Sequence, residues 1–204
     1  MPTALTPAAL GFRSHSGWAA VVCLAGPIDS PGVVERSRLL LTSGPLPCEP
    51  YHRAKGYTLN DAGEIVAAAA TQARTMASEG ISGLVASLSA RGYSVSVAAV
   101  LLGRGRPDFT LTQALSTHAA MHNAEGWLHR EALIQASHDN GLRVRGILEQ
   151  ILYSDLRATV GAYAPEIESR IRELGHFMGP PWAADQKLAC AAAWLALADP
   201  LALA

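Results

Sequence analysis

The first 42 residues carry short apolar segments, rich in β-branched residues and separated by turn formers. Residues 9–15 and 18–25 predict two strands meeting at Ser16-Gly17, and the run VVCLA is apolar enough for a central strand. Residues 26–32, GPIDSPG, form a turn by composition. Residues 33–42 give a third strand, with Glu35, Arg36 and Arg38 set against apolar neighbours. These three strands predict an antiparallel meander. Beyond residue 60 the spacing is mostly helical. Asp61 with Glu64 predicts a capping box for a helix to about Ala90, striped by Ile65, Ala69, Met76, Leu84 and Leu88, with Gly80 or Gly83 as break points. Residues 93–102 are apolar and Val-rich, as in a strand covered on both faces. Residues 110–141 predict one long helix, opened by Thr110 and Gln113 and closed by Gly141. Residues 142–152 predict a fifth strand, and a helix from about Ser154 restarts at Pro165 with Ile167, Ile171 and Leu174 inward. GPPW at 179–182 is a rigid turn, and residues 183–198 are apolar almost all round, the pattern of a buried helix.

A meander followed by strand–helix–strand crossovers gives an α/β fold. The sheet is five-stranded and mixed, three antiparallel strands plus two parallel ones, with helices on both faces and a single domain over 1–204. The stretch outside this pattern is residues 43–60, which hold three prolines and read as a long loop with a functional reason for its length.

Composition narrows the class. Of 204 residues 50% are apolar, enough for one good core, and a net charge of −1 gives no overall basic footprint for nucleic acid. Cys23, Cys48 and Cys190 are scattered without CxxC spacing, which neither suggests a disulfide framework nor resembles a zinc knuckle and suits a reducing, cytoplasmic setting. The N-terminus lacks the pattern of a signal peptide, and the Ala- and Leu-rich tail is interrupted by Asp185, Lys187 and Asp199, so no membrane association is expected. Neither GxxxxGK nor GxGxxG occurs, which argues against a nucleotide-binding offshoot of the actin kind.

Candidate chemistry concentrates in the long helix. At about 100° per residue, His118, His122, Glu125 and His129 fall within roughly 60° of one another. Met121, Leu128 and Ala132 flank the stripe on one side, Gly126 and Leu133 on the other, while Asn123, Arg130, Glu131, Gln135 and His138 lie on the opposite, surface half. Polar groups on the apolar side need partners. Either they form a buried hydrogen-bond network, or His118, His122 and Glu125 ligate a divalent metal (Mg, Mn or Zn) with Glu125 as ligand or base. His15, after the first strand, is a site candidate or a turn histidine. Asp185 is a ligand or a favourable charge at a helix start, with Lys187 beside it. Arg104 and Arg106 are either a local phosphate-holding patch for nucleic acid or a solvated loop.

The element order is that of the ribonuclease H-like fold, and LGFRSHSGWAAVV, SRLLLTSG and DQKLACAAAWLALA resemble the first hairpin, third strand and last helix of its Holliday-junction resolvase branch. The resemblance implies a nuclease holding two metal ions with carboxylates, and it maps Asp185 onto the last of these. The first-strand neighbourhood, Phe12, Arg13, Ser14 and His15, has no acid, nor does the fourth-strand end, Leu101, Leu102 and Gly103. A standard two-metal site therefore does not carry over. Two functions follow: a divergent metal-dependent hydrolase or phosphoesterase of nuclease type, using the His/Glu stripe with Asp185 and His15 facing it across a cleft, or a non-catalytic binding or scaffold relative.

Overall fold

In the computed structural model, residues 4–103, 108, 110–161 and 166–198 are described. The meander forms as expected: β1 (Thr6–His15), β2 (Trp18–Ala25) and β3 (Gly32–Leu40). β4 (Tyr93–Leu101) pairs with β1 in parallel, and β5 (Arg143–Ile147) pairs with β4 in parallel, giving the order β3-β2-β1-β4-β5. The ribonuclease H-like mixed sheet is thus present, with β1 at its centre. Gly17 takes a left-handed φ of +78° between β1 and β2, and a Cβ there would also meet Thr42 and Cys48.

Alternation along β1 separates two cores. Ala8, Leu10 and Phe12 pack with α2 (Leu59–Ala90) and α4 (His118–Asp139). Ala9, on the other face, packs under α5 (Leu152–Val160), α6 (Ile167–Met178) and α7 (Ala184–Leu197). Gly11 explains the seating of α7. A Cβ at that position would lie 2.0 Å from the Ala189 carbonyl oxygen, so the helix backbone crosses β1 in direct contact. With Ala189 over Gly11, the start of α7 reaches the end of β1. Residues 189–197 are all buried, as their all-round apolarity requires.

Four local expectations are corrected. α2 is capped three residues earlier than expected, by Thr58, whose Oγ1 accepts the Asp61 N–H, and it runs unbroken through Gly80 and Gly83. The segment 43–60 contains a short helix, α1 (Pro50–Ala54). The expected long helix is two: α3 (Leu111–Ala114), which does carry the Thr110–Gln113 capping box, and α4, restarted by Thr117 in extended conformation. The Ser116 hydroxyl donates to the Gln113 carbonyl and Thr117 Oγ1 accepts the Ala120 N–H, so side chains replace the ladder at this joint. Finally, β5 stops at Ile147. Leu152, Leu156 and Val160 are buried at a spacing of four, so the apolar residues after 147 belong to a 3-10 turn (Glu149–Ile151) and α5. Among the described residues no helix is long and apolar enough to cross a membrane.

Candidate metal centre

The break at Ser116-Thr117 makes His118 the first residue of α4, with His122 one turn on. The stripe is not uniform: His118 and His122 are exposed, whereas Glu125 and His129 are each 1% exposed. A carboxylate this deep needs donors, and α1 supplies them. Pro50 opens α1 at a position where its missing N–H costs nothing, and the next turn brings His52 against α4. The His52 backbone N–H donates to Glu125 Oε1 at 3.0 Å, and His52 Nδ1 lies 2.9 Å from both carboxylate oxygens.

That contact decides the tautomer. With Nδ1–H donated to the carboxylate, the lone pair sits on Nε2, which is buried and has no hydrogen-bond partner. The His52 ring centroid is 4.8 Å from that of His118 and 4.7 Å from that of His122, and those two are 4.4 Å apart at 89°. One ligand nitrogen from each of the three lies within 4.8 Å of the others. Tetrahedral nitrogen ligands at 2.0–2.1 Å from zinc stand roughly 3.3 Å apart, so the exposed His118 and His122 would close inward by about an ångström. A second group, Glu49, His122 and Glu125, also converges, with His122 Nδ1 3.7 Å from Glu125 Oε2. An ion held there would leave His52 Nε2 buried and unpaired, so the three-histidine group is the better donor set. Carboxylate to imidazole to metal is the usual chain by which an outer group orients a ligand histidine.

His129, the fourth member of the stripe, is structural in its contacts. Its Nε2 is 3.1 Å from the Gly17 N–H and 3.0 Å from the Cys48 carbonyl, tying the β1–β2 turn to the loop before α1. One nitrogen serves one of these groups at a time, and Nδ1 has no partner. Burial holds its pKa below the ordinary histidine value, with the Cys48 hydrogen bond opposing.

His15 and Asp185 do meet. His15 Nε2 is 2.8 Å from Asp185 Oδ1, and the ring stacks on Trp18 at 4.5 Å, with Arg38 4.0 Å from the Trp18 centroid. The expected single cluster is nevertheless two: among the described residues no hydrogen bond or ion pair joins His15 or Asp185 to His118, His122 or Glu125. Lys187 lines a recess with Arg172, Gly175, His176 and Trp182, on the α6 side of its helix. Arg104 and Arg106 lie outside the described residues. Burial pushes the Cys23 thiol up to about 12 and raises the Cys190 thiol too, and among the described residues no cysteine belongs to a converging donor group.

Sequence reasoning missed His52, Glu49 and Arg130. The first two lie in the long proline-containing loop, whose length was the only signal. Arg130 is half-buried at the carboxyl edge of the sheet, not on an open surface. At that edge, the first strand offers Arg13, paired with Glu149 at 3.2 Å, where a first-strand carboxylate would be needed for two-metal chemistry.

No protein-family model matches the chain, and no curated protein matches it either. Among solved structures it is similar to T. thermophilus RuvC in complex with a Holliday junction substrate, at 10% identity and a TM-score of 0.53, over 92% of this chain and 90% of that one. It is likewise similar to a further Thermus thermophilus RuvC structure, at 13% identity and a TM-score of 0.52, with 92% of each chain covered. At these identities the likeness is one of fold.

Proposed function

We propose that this chain is a metal-dependent hydrolase of nuclease type, with one transition-metal ion held by His52, His118 and His122. The observation that carries this reading is His52: a half-buried imidazole with its Nδ1 fixed by a buried glutamate, its Nε2 without a partner, and its ring packed against two more imidazoles. Three nitrogen donors suit zinc, and also manganese or iron, whereas magnesium prefers oxygen ligands. Three protein ligands with exposed His118 and His122 leave a further position open to solvent, the arrangement of catalytic and not closed structural sites. Bound there, such an ion would polarise a phosphoryl oxygen and lower the pKa of a coordinated water. Glu125 is then a positioning residue, because its oxygens are spent on His52. The fold shared with RuvC favours a phosphodiester in nucleic acid as substrate.

The test has two parts. Protein purified without chelator is analysed for metals, with about one equivalent of zinc, manganese or iron expected, and His52→Ala should lose it. Wild type and His52→Ala are then assayed with zinc or manganese on single-stranded, duplex and branched nucleic acids. Metal-dependent cleavage lost in the variant supports the reading; absence of metal and of cleavage sinks it.

One observation favours a second reading. Arg13 at the end of β1 puts positive charge where two-metal catalysis needs a carboxylate. A non-catalytic nucleic-acid-binding protein would keep such a residue, and it would bind the same substrates without cleaving them.

A further inference from the structure

The carboxyl edge of the sheet holds a charge that the metal reading leaves unused. Arg130 runs back along α4 and lays its guanidinium over Gly126 and Gly103. A Cβ on Gly126 would lie 2.8 Å from Arg130 Nη1, and one on Gly103 2.8 Å from Nη2. Its Nε is buried without a partner, and among the described residues no hydrogen bond or ion pair reaches the guanidinium. Among the described residues the carboxylate acting on Arg130 is Glu149, which is 3.2 Å from Arg13 Nε, and Arg13 Nη1 donates to the Ser14 carbonyl. Two guanidinium groups therefore share a single acid, an excess of one positive charge in a half-buried place. Burial and the Arg13 charge both push the Arg130 pKa down, with Glu149 opposing.

A planar fork of five N–H donors with no acceptor is matched by an oxyanion. Its position relates it to the histidines. His122, Gly126 and Arg130 stand on successive turns of α4, each rotated about 40° from the last, and helical side chains lean toward the N-terminus. The guanidinium over Gly126 thus lies about one turn from His122, roughly 5–6 Å between Cβ positions. Gly126 is what allows the approach, since any side chain there would displace Arg130.

We propose that Arg130, seconded by Arg13, binds a phosphate oxyanion beside the histidine cluster, and that the natural ligand of this site carries a phosphate group. The placement beside a metal rests on the proposed function; the anion site itself does not. The phosphate can belong to a small phosphate ester or to a phosphodiester backbone, and the experiment separates them.

Full-length protein, as purified and after chelator treatment, is titrated calorimetrically at fixed low salt with inorganic phosphate and with a short single-stranded oligonucleotide. Binding is expected in both preparations, with Arg130→Gln weakening it at least tenfold. Gly126→Ala keeps the charge but moves the fork, and should weaken binding severalfold even if Arg130→Gln folds poorly. Loss confined to phosphate assigns a small ester; loss on the oligonucleotide assigns the diester backbone, and the salt dependence of that binding should flatten in Arg130→Gln. No binding by wild type, or binding that survives both Arg130→Gln and Gly126→Ala, overturns the proposal. So does phosphate binding that disappears with chelator, because the anion then sits on the metal. Absence of metal with phosphate binding intact would defeat the metal reading and leave this one standing.

Discussion

Among the described residues, two histidine–carboxylate pairs lie within hydrogen-bond distance, His52–Glu125 and His15–Asp185, with nearly equal contacts of 2.9 and 2.8 Å. Their surroundings differ. The Glu125 side chain is 1% exposed and accepts a backbone N–H as well, and it holds the His52 ring, 23% exposed, which packs against two further imidazoles. Asp185 and His15 are 29% and 35% exposed, and their ring is stacked on Trp18, with no further imidazole or carboxylate converging on it among the described residues. The lesson is that distance alone does not distinguish a pair built on a buried carboxylate from a surface one. Burial makes the first pair obligatory and directional, while solvent screens the second.

The largest expected effect comes from breaking the buried pair. His52→Ala leaves a buried glutamate with its ring donor gone, and should cost on the order of 3–5 kcal/mol by denaturant unfolding while abolishing metal binding. An unfolding midpoint unchanged from wild type would mean that Glu125 is not held as described. Next, Glu125→Gln keeps shape and length but loses the charge that orients His52. It should weaken metal affinity about 10–100-fold by competition with a chromogenic chelator, the usual effect of losing an orienting carboxylate. Its stability cost should be about 1–3 kcal/mol, since one buried hydrogen bond is disturbed. Equal metal affinity in this variant would move the ion to another donor set.

His129 offers a pH test that neither pair shares. Its folded pKa lies below the ordinary value because of burial, so the unfolded chain takes up the proton first as pH falls. Its contribution to stability is complete above roughly pH 6.5 and is lost as pH drops through that value toward the folded pKa. His129→Gln should therefore be less stable at neutral pH and show a flatter fall in melting temperature between about pH 7.5 and 5. The slope removed is at most about 1.4 kcal/mol per pH unit, the limit for one proton. An unchanged slope would show that another group governs acid unfolding.

The same contrast explains what could be read from the chain beforehand. The three-strand meander and the parallel β4 are legible because β-branched, apolar runs between turn formers have few alternatives, and β4 buries both faces as its sequence implies. Glu125 stood out because its wheel position sits among Met121, Leu128 and Leu133. Its partner did not. α1 has five residues, too few for any helical period, and the approach of His52 depends on how the loop folds over the Gly17 turn through His129 and Cys48. Arg130 was misread for a different reason: its Cα angle on the helix points outward, but the long side chain folds back over Gly126. A helical wheel locates Cα atoms and says little about where a guanidinium ends. The fifth strand was overextended because Leu148, Ile151 and Leu152 are apolar in either period, and only the spacing to Leu156 and Val160 reveals the helix.

The smallest effect on stability is expected at Asp185, and it bears most directly on which pair matters. Asp185→Asn removes a partly exposed ion pair and a favourable charge in the first turn of α7. Each is worth less than about 1 kcal/mol at such exposure, so the melting temperature should fall by only a few degrees. Metal content should not change, because Asp185 does not converge with the histidines of the proposed centre. Cleavage, if wild type shows it, should also persist within severalfold. A loss of a hundredfold or more, with metal content and melting temperature nearly those of wild type, would invert the comparison. His15 would then be the acid or base oriented by Asp185, at the same edge of the sheet as Arg13, and the buried pair would be the scaffold.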